Sequence, residues 1–139
     1  MTPTSIRDCM YPNPLTISEH APLVQAIQVL TEFKLTGLTV LDDSGKPCGK
    51  ITELDCIRSI LNSVYNDGNP ENIQVAQAMT HEIHSCGPED SIVEVAQRML
   101  DTHQRRNAVI KDGALVGQVS SSNILWALME HSRARQNMR

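Results

Sequence analysis

What this chain has little of narrows its possibilities quickly. Only four of its 139 residues are aromatic: Tyr11, Phe33, Tyr65 and Trp126. That is too few to build stacking platforms for single-stranded nucleic acid. Basic charge is also short. Twelve Lys and Arg stand against sixteen Asp and Glu, a net charge of −4, whereas non-specific nucleic-acid binding needs a basic surface. No apolar run approaches the roughly 20 residues that cross a bilayer. The N-terminus has no basic stretch followed by an apolar core, so it does not read as a secretion signal. The four cysteines, Cys9, Cys48, Cys56 and Cys86, include no Cys-x-x-Cys pair and no zinc-ligand spacing. They read as small apolar residues in a reducing compartment. The expectation is a soluble, cytoplasmic protein with no nucleic acid, no membrane insertion and no metal.

What the chain does have is a 40% hydrophobic fraction, enough for a core, and a short segment that occurs twice. Gly49-Lys50-Ile51-Thr52-Glu53-Leu54-Asp55 and Gly117-Gln118-Val119-Ser120-Ser121-Ser122-Asn123 share one pattern. Each runs Gly, any residue, aliphatic, hydroxyl, two variable residues, then Asp or Asn. An apolar helical run follows each. The pattern predicts a strand that ends at the hydroxyl residue and a helix that begins there. A helix start presents unpaired N–H groups and partial positive charge, which suits a phosphate. A carboxylate one turn on can accept hydrogen bonds from both hydroxyls of a ribose. The same residues also make an ordinary helix cap, and from one copy alone the cap is the simpler reading.

The duplication extends well beyond this segment. Placing Met10 over Met79 sets Val24 on Val93, Gln28 on Gln97 and Val40 on Val109; one deletion near Ser44 then brings Gly49 onto Gly117. Each half predicts the same elements. A helical lead-in covers Ile6–Met10 or Val75–Met79. A short strand lies near Leu15-Thr16-Ile17 or Ile83-His84-Ser85. An amphipathic helix follows, striped by Leu23, Ile27, Leu30 and Lys34 with Val24 and Ala26, or by Ile92, Val95, Ala96 and Met99. Pro22 marks the first helix start, and Ser91 with Glu94 the second. Two strands come next: Leu38–Leu41 with Cys48–Thr52, and Ala108–Ile110 with Leu115–Ser120, the second pair joined across an Asp112-Gly113 hairpin signal. The closing helices are Glu53–Ser63 and Ser121–His131. Residues 4–63 and 75–131 are thus two repeats, 64–74 a linker, and 132–139 a frayed tail. One repeat alone would bury too little surface to be comfortable.

This order of elements, the two Gly-x-aliphatic-[Thr/Ser]-x-x-[Asp/Asn] endings and the Met79-Thr80 lead-in resemble a tandem cystathionine-β-synthase (CBS) domain pair, or Bateman module. The resemblance covers about residues 4–130 and is of a stand-alone pair. It implies an α+β fold: two β-α-β-β-α repeats packed sheet to sheet about a pseudo-two-fold axis. It also implies clefts that bind adenosine nucleotides with residues from both repeats. By position, a first site would combine Thr52 and Asp55 with Thr80, Ile83, His84, Arg105, Arg106 and Ala108. A second would combine Ser120 and Asn123 with Tyr11, Leu15, Thr16, Thr36, Gly37 and Thr39. Only the first has an arginine pair, and guanidinium forks suit phosphates. The first is therefore expected to be the better nucleotide site. The chain departs from the family where Thr39 and Ala108 replace a common Pro.

The expected function is a non-enzymatic regulatory module. It binds an AMP-, ADP- or ATP-type nucleotide, with or without Mg, as ligand rather than catalyst. It passes that state through a homodimer to a regulated protein not named by the sequence. The competing readings are a ligand-free dimerisation module and a sensor of S-adenosylmethionine or NAD. Smaller features weigh less. His81 and His84 share a metal-ligand spacing only on a helix, and this segment reads as strand. Cys86 near His84 and Asp90 in sequence is not a catalytic triad. Arg133, Arg135 and Arg139 read as a solvated helix end.

Overall fold

The structure is a computed structural model and describes residues 2–137. In chain order it comprises a 3-10 turn Ile6–Asp8, β1 Tyr11–Pro12, β2 Thr16–Ser18, α1 Leu23–Glu32, β3 Gly37–Leu41, β4 Pro47–Thr52, α2 Glu53–Tyr65, a 3-10 turn Pro70–Asn72, α3 Val75–Ala78, β5 Ser85–Cys86, α4 Ile92–Thr102, β6 Arg106–Lys111, β7 Ala114–Ser120 and α5 Ser121–Asn137. These fall into two compact units. One is continuous, Leu15–Ile83. The other is built from two pieces of chain, residues 2–14 and 84–137.

In the continuous unit β2 runs parallel to β3, and β3 pairs antiparallel with β4. A parallel neighbour needs a crossover, and α1 supplies it. Alternation along the strands turns Leu38, Val40 and Ile51 into the core with Ile17. Leu23, Ala26 and Leu30 of α1, Cys56 of α2, and Val75 and Ala78 of α3 close over them. The two-piece unit repeats the plan: β5 lies parallel to β6 across α4, and β6 forms a hairpin with β7. Asp112 and Gly113 at its tip both have positive φ, 52° and 79°, the type I′ geometry that matches strand twist. Its core holds Ile92, Val95, Met99, Val109, Val119, Ile124 and Ala127, together with Ile6 from the start of the chain.

The compact units therefore cut across the sequence repeats. The lead-in of the first repeat belongs to the unit that carries the second, and the reverse holds too. The Ile6 and Arg7 amides donate to the carbonyls of Asp90 and Pro88, and β1 pairs antiparallel with β7. The Val75 and Ala76 amides donate to the carbonyls of Ala21 and Glu19.

Several local expectations shift. The strand expected near Leu15-Thr16-Ile17 is β2, Thr16–Ser18, so Leu15 lies before it, and Ile83 and His84 precede β5. Lys34 is not part of the α1 stripe. It sits beyond the helix end at φ 54°, as His103 does at φ 56° after α4, in the left-handed conformation that ends helices. The amides that follow, Leu35 and Gln104, donate back to the carbonyls of Leu30 and Met99. Val24 faces outward, 41% exposed. The expected frayed tail from 132 is instead helix through Asn137, along which Arg133 pairs with Glu130 at i,i+3 spacing. Arg139 lies outside the described residues. Among the described residues no helix is long and apolar enough to cross a membrane.

Candidate functional site

Both repeated segments form strand-to-helix junctions of the expected kind. At the α2 start the Asp55 amide donates to Thr52 Oγ1 (3.2 Å), and the Thr52 amide donates to Asp55 Oδ2 (3.0 Å). This is a reciprocal capping box. At the α5 start the Asn123 amide donates to Ser120 Oγ (3.2 Å), and both the Ser120 amide and hydroxyl donate to Asn123 Oδ1 (3.0 Å each). Capping is thus real in both copies, as the simpler reading required.

The Asp55 copy carries more. Its carboxylate is 4% exposed, and Oδ1 accepts from Arg58 Nη1 and from Thr80 Oγ1, each at 3.1 Å. A buried charge needs such partners. Thr80 is held there by a two-way backbone bridge: its amide donates to the Lys50 carbonyl, and the Lys50 amide donates to its carbonyl, both at 2.9 Å. Gly49 allows this approach. A Cβ at Gly49 would lie 2.6 Å from the Thr80 carbonyl oxygen. The glycine of the repeated pattern thus marks where the lead-in segment lies flat on the strand. Gly117 serves Met10 and Tyr11 in the same way.

The expected site residues divide between the units. Thr52, Asp55, Thr80 and Ile83 belong to the continuous unit, with Leu15, Thr16, Thr36, Gly37 and Thr39. There Gly37 stands opposite Thr52 and Thr16 opposite Thr39, and the Glu53 amide donates to the Thr36 carbonyl. His84, Arg105, Arg106, Ala108, Ser120, Asn123 and Tyr11 belong to the two-piece unit. There Arg106 stands opposite Ser120, the Ser121 amide donates to the Arg105 carbonyl, and the Ala108 amide donates to the His84 carbonyl. Within its own unit, then, the arginine pair flanks the hydroxyl and helix start of Ser120.

The two helix starts differ in charge. Glu53 and Asp55 occupy the first turn of α2, while the first turn of α5 has no acidic residue. The positive end of α2 is already compensated by carboxylates; that of α5 is supplemented by two exposed arginines. Hydrogen bonding to sugar hydroxyls suits the first arrangement, and holding phosphate oxygens suits the second. Sequence reasoning missed Arg58, although its i+3 spacing from Asp55 was a readable signal. The Thr80–Asp55 contact spans 25 residues; the resemblance grouped the two in one site, and local spacing left no sign that they would bond to each other.

The minor candidates resolve physically. Burial pushes the Cys86 thiol up to about 11, with Asp90 adding to the effect, so at neutral pH it is a thiol and not a thiolate nucleophile. The Asp90 carboxylate accepts from the Gly87 amide and from Arg98. Among the described residues no group of three His, Cys, Asp or Glu is placed to hold a metal ion.

Two mixed units of this topology, each ending in a capped Gly-to-Asp/Asn junction, define the class. The chain belongs to the CBS-domain family, whose model matches residues 6–62 and again 75–130. It is 27% identical over 123 residues to the uncharacterized protein MJ1225 of Methanocaldococcus jannaschii, covering 88% of this chain and 42% of that one. It is 26% identical over 120 residues to the 5'-AMP-activated protein kinase subunit gamma-3 of Bos taurus, covering 81% of this chain and 24% of that one. The chain therefore spans less than half the length of these relatives. Among solved structures it resembles CBSX2, a protein of Arabidopsis thaliana, in complex with AMP. The TM-score is 0.77 at 24% identity, over 92% of this chain and 98% of the other. At that identity the likeness is one of fold.

Proposed function

We propose that this chain is a regulatory module that binds an adenine nucleotide and signals through a homodimer to a partner protein. The observation that carries the reading is the contrast between the two helix starts. Asp55 is a buried, oriented carboxylate suited to ribose hydroxyls. Ser120 with Arg105 and Arg106 is an acid-free, cationic helix start suited to phosphate. AMP in a CBS structure of the same fold and the AMP-activated kinase subunit among the relatives support the choice of adenine nucleotide.

Calorimetry with adenosine and AMP tests the assignment. Asp55→Ala is expected to weaken both ligands by on the order of ten- to hundred-fold, the worth of hydrogen bonds to a charged group. The double variant Arg105→Ala/Arg106→Ala is expected to weaken AMP and leave adenosine unchanged. Asn123→Ala is expected to cost less than Asp55→Ala, since an amide lacks the carboxylate's charge. Equal losses in those two variants would remove Asp55 from its leading role.

The dimer rests on a separate observation. Leu54, Ile57, Leu61 and Val64 follow helical spacing along α2 and are 69%, 54%, 48% and 59% exposed. A continuous apolar stripe of this kind is more than scattered surface hydrophobicity. Sedimentation equilibrium should return twice the chain mass for the wild type. Ile57→Asp combined with Leu61→Asp should return the single-chain mass. A wild-type monomer at high micromolar concentration would rule the dimer out.

A further inference from the structure

The contact between Thr80 and Asp55 fits poorly with Thr80 as a simple ligand contact. A carboxylate offers about four acceptor positions on two oxygens. At Asp55 the Thr52 amide takes Oδ2, while Arg58 and Thr80 both take Oδ1. The side chain is almost wholly buried. Vicinal ribose hydroxyls need two acceptor positions on the same carboxylate. The Thr52 bond belongs to the helix cap, and Arg58 is tethered to Asp55 along the same helix. Arg58, 64% exposed, can swing into solvent without moving any other segment; the Thr80 hydroxyl arrives from a different segment, so its release is the one felt beyond α2.

We propose that Thr80 is an autoinhibitory latch on Asp55. Its hydroxyl occupies the carboxylate and gives it up to the ribose. The inference rests on the proposed nucleotide reading and adds regulation to it. The latch has a mechanical consequence within the continuous unit. Thr80 belongs to the segment Met79–His81, which lies on Gly49 and is pinned to β4 by the Lys50–Thr80 bridge and by the Asp55 bond. Loss of the side-chain bond leaves only the bridge. Ligand binding thereby loosens the segment through which the chain leaves this unit at Ile83. The device is one-sided. At the matching position of the other repeat stands Tyr11, which is 66% exposed. There Asn123 Oδ1 is taken by the amide and hydroxyl of its own Ser120.

The experiment pairs AMP calorimetry with amide exchange on the wild type, Thr80→Val and Thr80→Ser. Valine keeps the shape and the backbone bridge but has no donor; serine keeps the donor. Thr80→Val is expected to bind AMP about tenfold more tightly, as loss of a competing hydrogen bond to a charged group implies, and Thr80→Ser to bind as the wild type does. In the wild type, AMP is expected to speed exchange at the Thr80 and Lys50 amides, and Thr80→Val to show that faster exchange without AMP. Weaker or unchanged AMP binding by a folded Thr80→Val overturns the latch and leaves the nucleotide reading standing. No AMP binding by the wild type or either variant overturns the nucleotide reading, and the latch with it.

Discussion

Replacing Ile6 by Ala is expected to destabilise the protein by about 2–5 kcal/mol, the usual cost of emptying a fully buried Ile site. Ile6 has no exposed surface and packs with Cys86, Ile92, Val109 and Val119. Its place in the sequence would assign the damage to the first repeat. The fold assigns it elsewhere. Native-state hydrogen exchange should show lost protection in β6, β7 and α4, while β3, β4 and α1 keep theirs. Val75→Ala, the matching change in the other lead-in, should give the reverse pattern, because Val75 packs in the core around Leu23, Val40 and Ile51. Protection lost in the same repeat as each mutation would contradict the exchange of lead-ins.

Gly49→Ala is expected to be the more damaging of the two glycine changes. Glycine in a strand is normally a small liability, and alanine gains about 0.5–1 kcal/mol where nothing opposes it. Here the new methyl would stand 2.6 Å from the Thr80 carbonyl oxygen, which accepts from the Lys50 amide in a residue whose own amide donates back to the Lys50 carbonyl. Overpacking of this kind costs about 1–3 kcal/mol, so the net change should be a clear loss. At Gly117 the nearest atom is Met10 Sδ at 2.7 Å, with the Tyr11 carbonyl at 3.0 Å. A thioether can swing aside where a strapped carbonyl cannot. Denaturant midpoints should therefore fall further for Gly49→Ala than for Gly117→Ala. A Gly49→Ala protein as stable as the wild type would refute the close approach.

The parts of the molecule that were legible in advance are those decided by neighbours in sequence. Asp112-Gly113 specified its own turn, because both residues tolerate positive φ. Thr52 with Asp55, and Ser120 with Asn123, specified their helix starts, because a cap closes over three residues. The stripe of Leu23, Ile27 and Leu30 with Ala26 announced a buried helix face, with Ile27 only partly buried. Val24 misled because it is apolar but lies off the buried face, and Lys34 because its i+4 spacing from Leu30 continues past the helix end at Glu32. The rest depends on long-range contacts. Nothing near Ile6 indicates that it joins β7, more than a hundred residues away, and the resemblance that grouped Thr80 with Asp55 did not indicate a direct bond between them. The glycines of the repeated pattern were legible as glycines but not in purpose. They are flat ground for a second segment, and that segment is chosen by the fold.

The exchange of lead-ins also sets an order of events during synthesis. The continuous unit can close as soon as Ile83 has left the ribosome. Residues 2–14 cannot, because their partners lie in residues 84–137 and are made later. At about 5–20 residues per second, residues 2–14 wait several seconds, with Ile6 and Met10 uncovered, before their docking surface exists. Residues 2–14 are thus placed well after they are made, and anything that holds them in the interval acts on the closing of the two-piece unit.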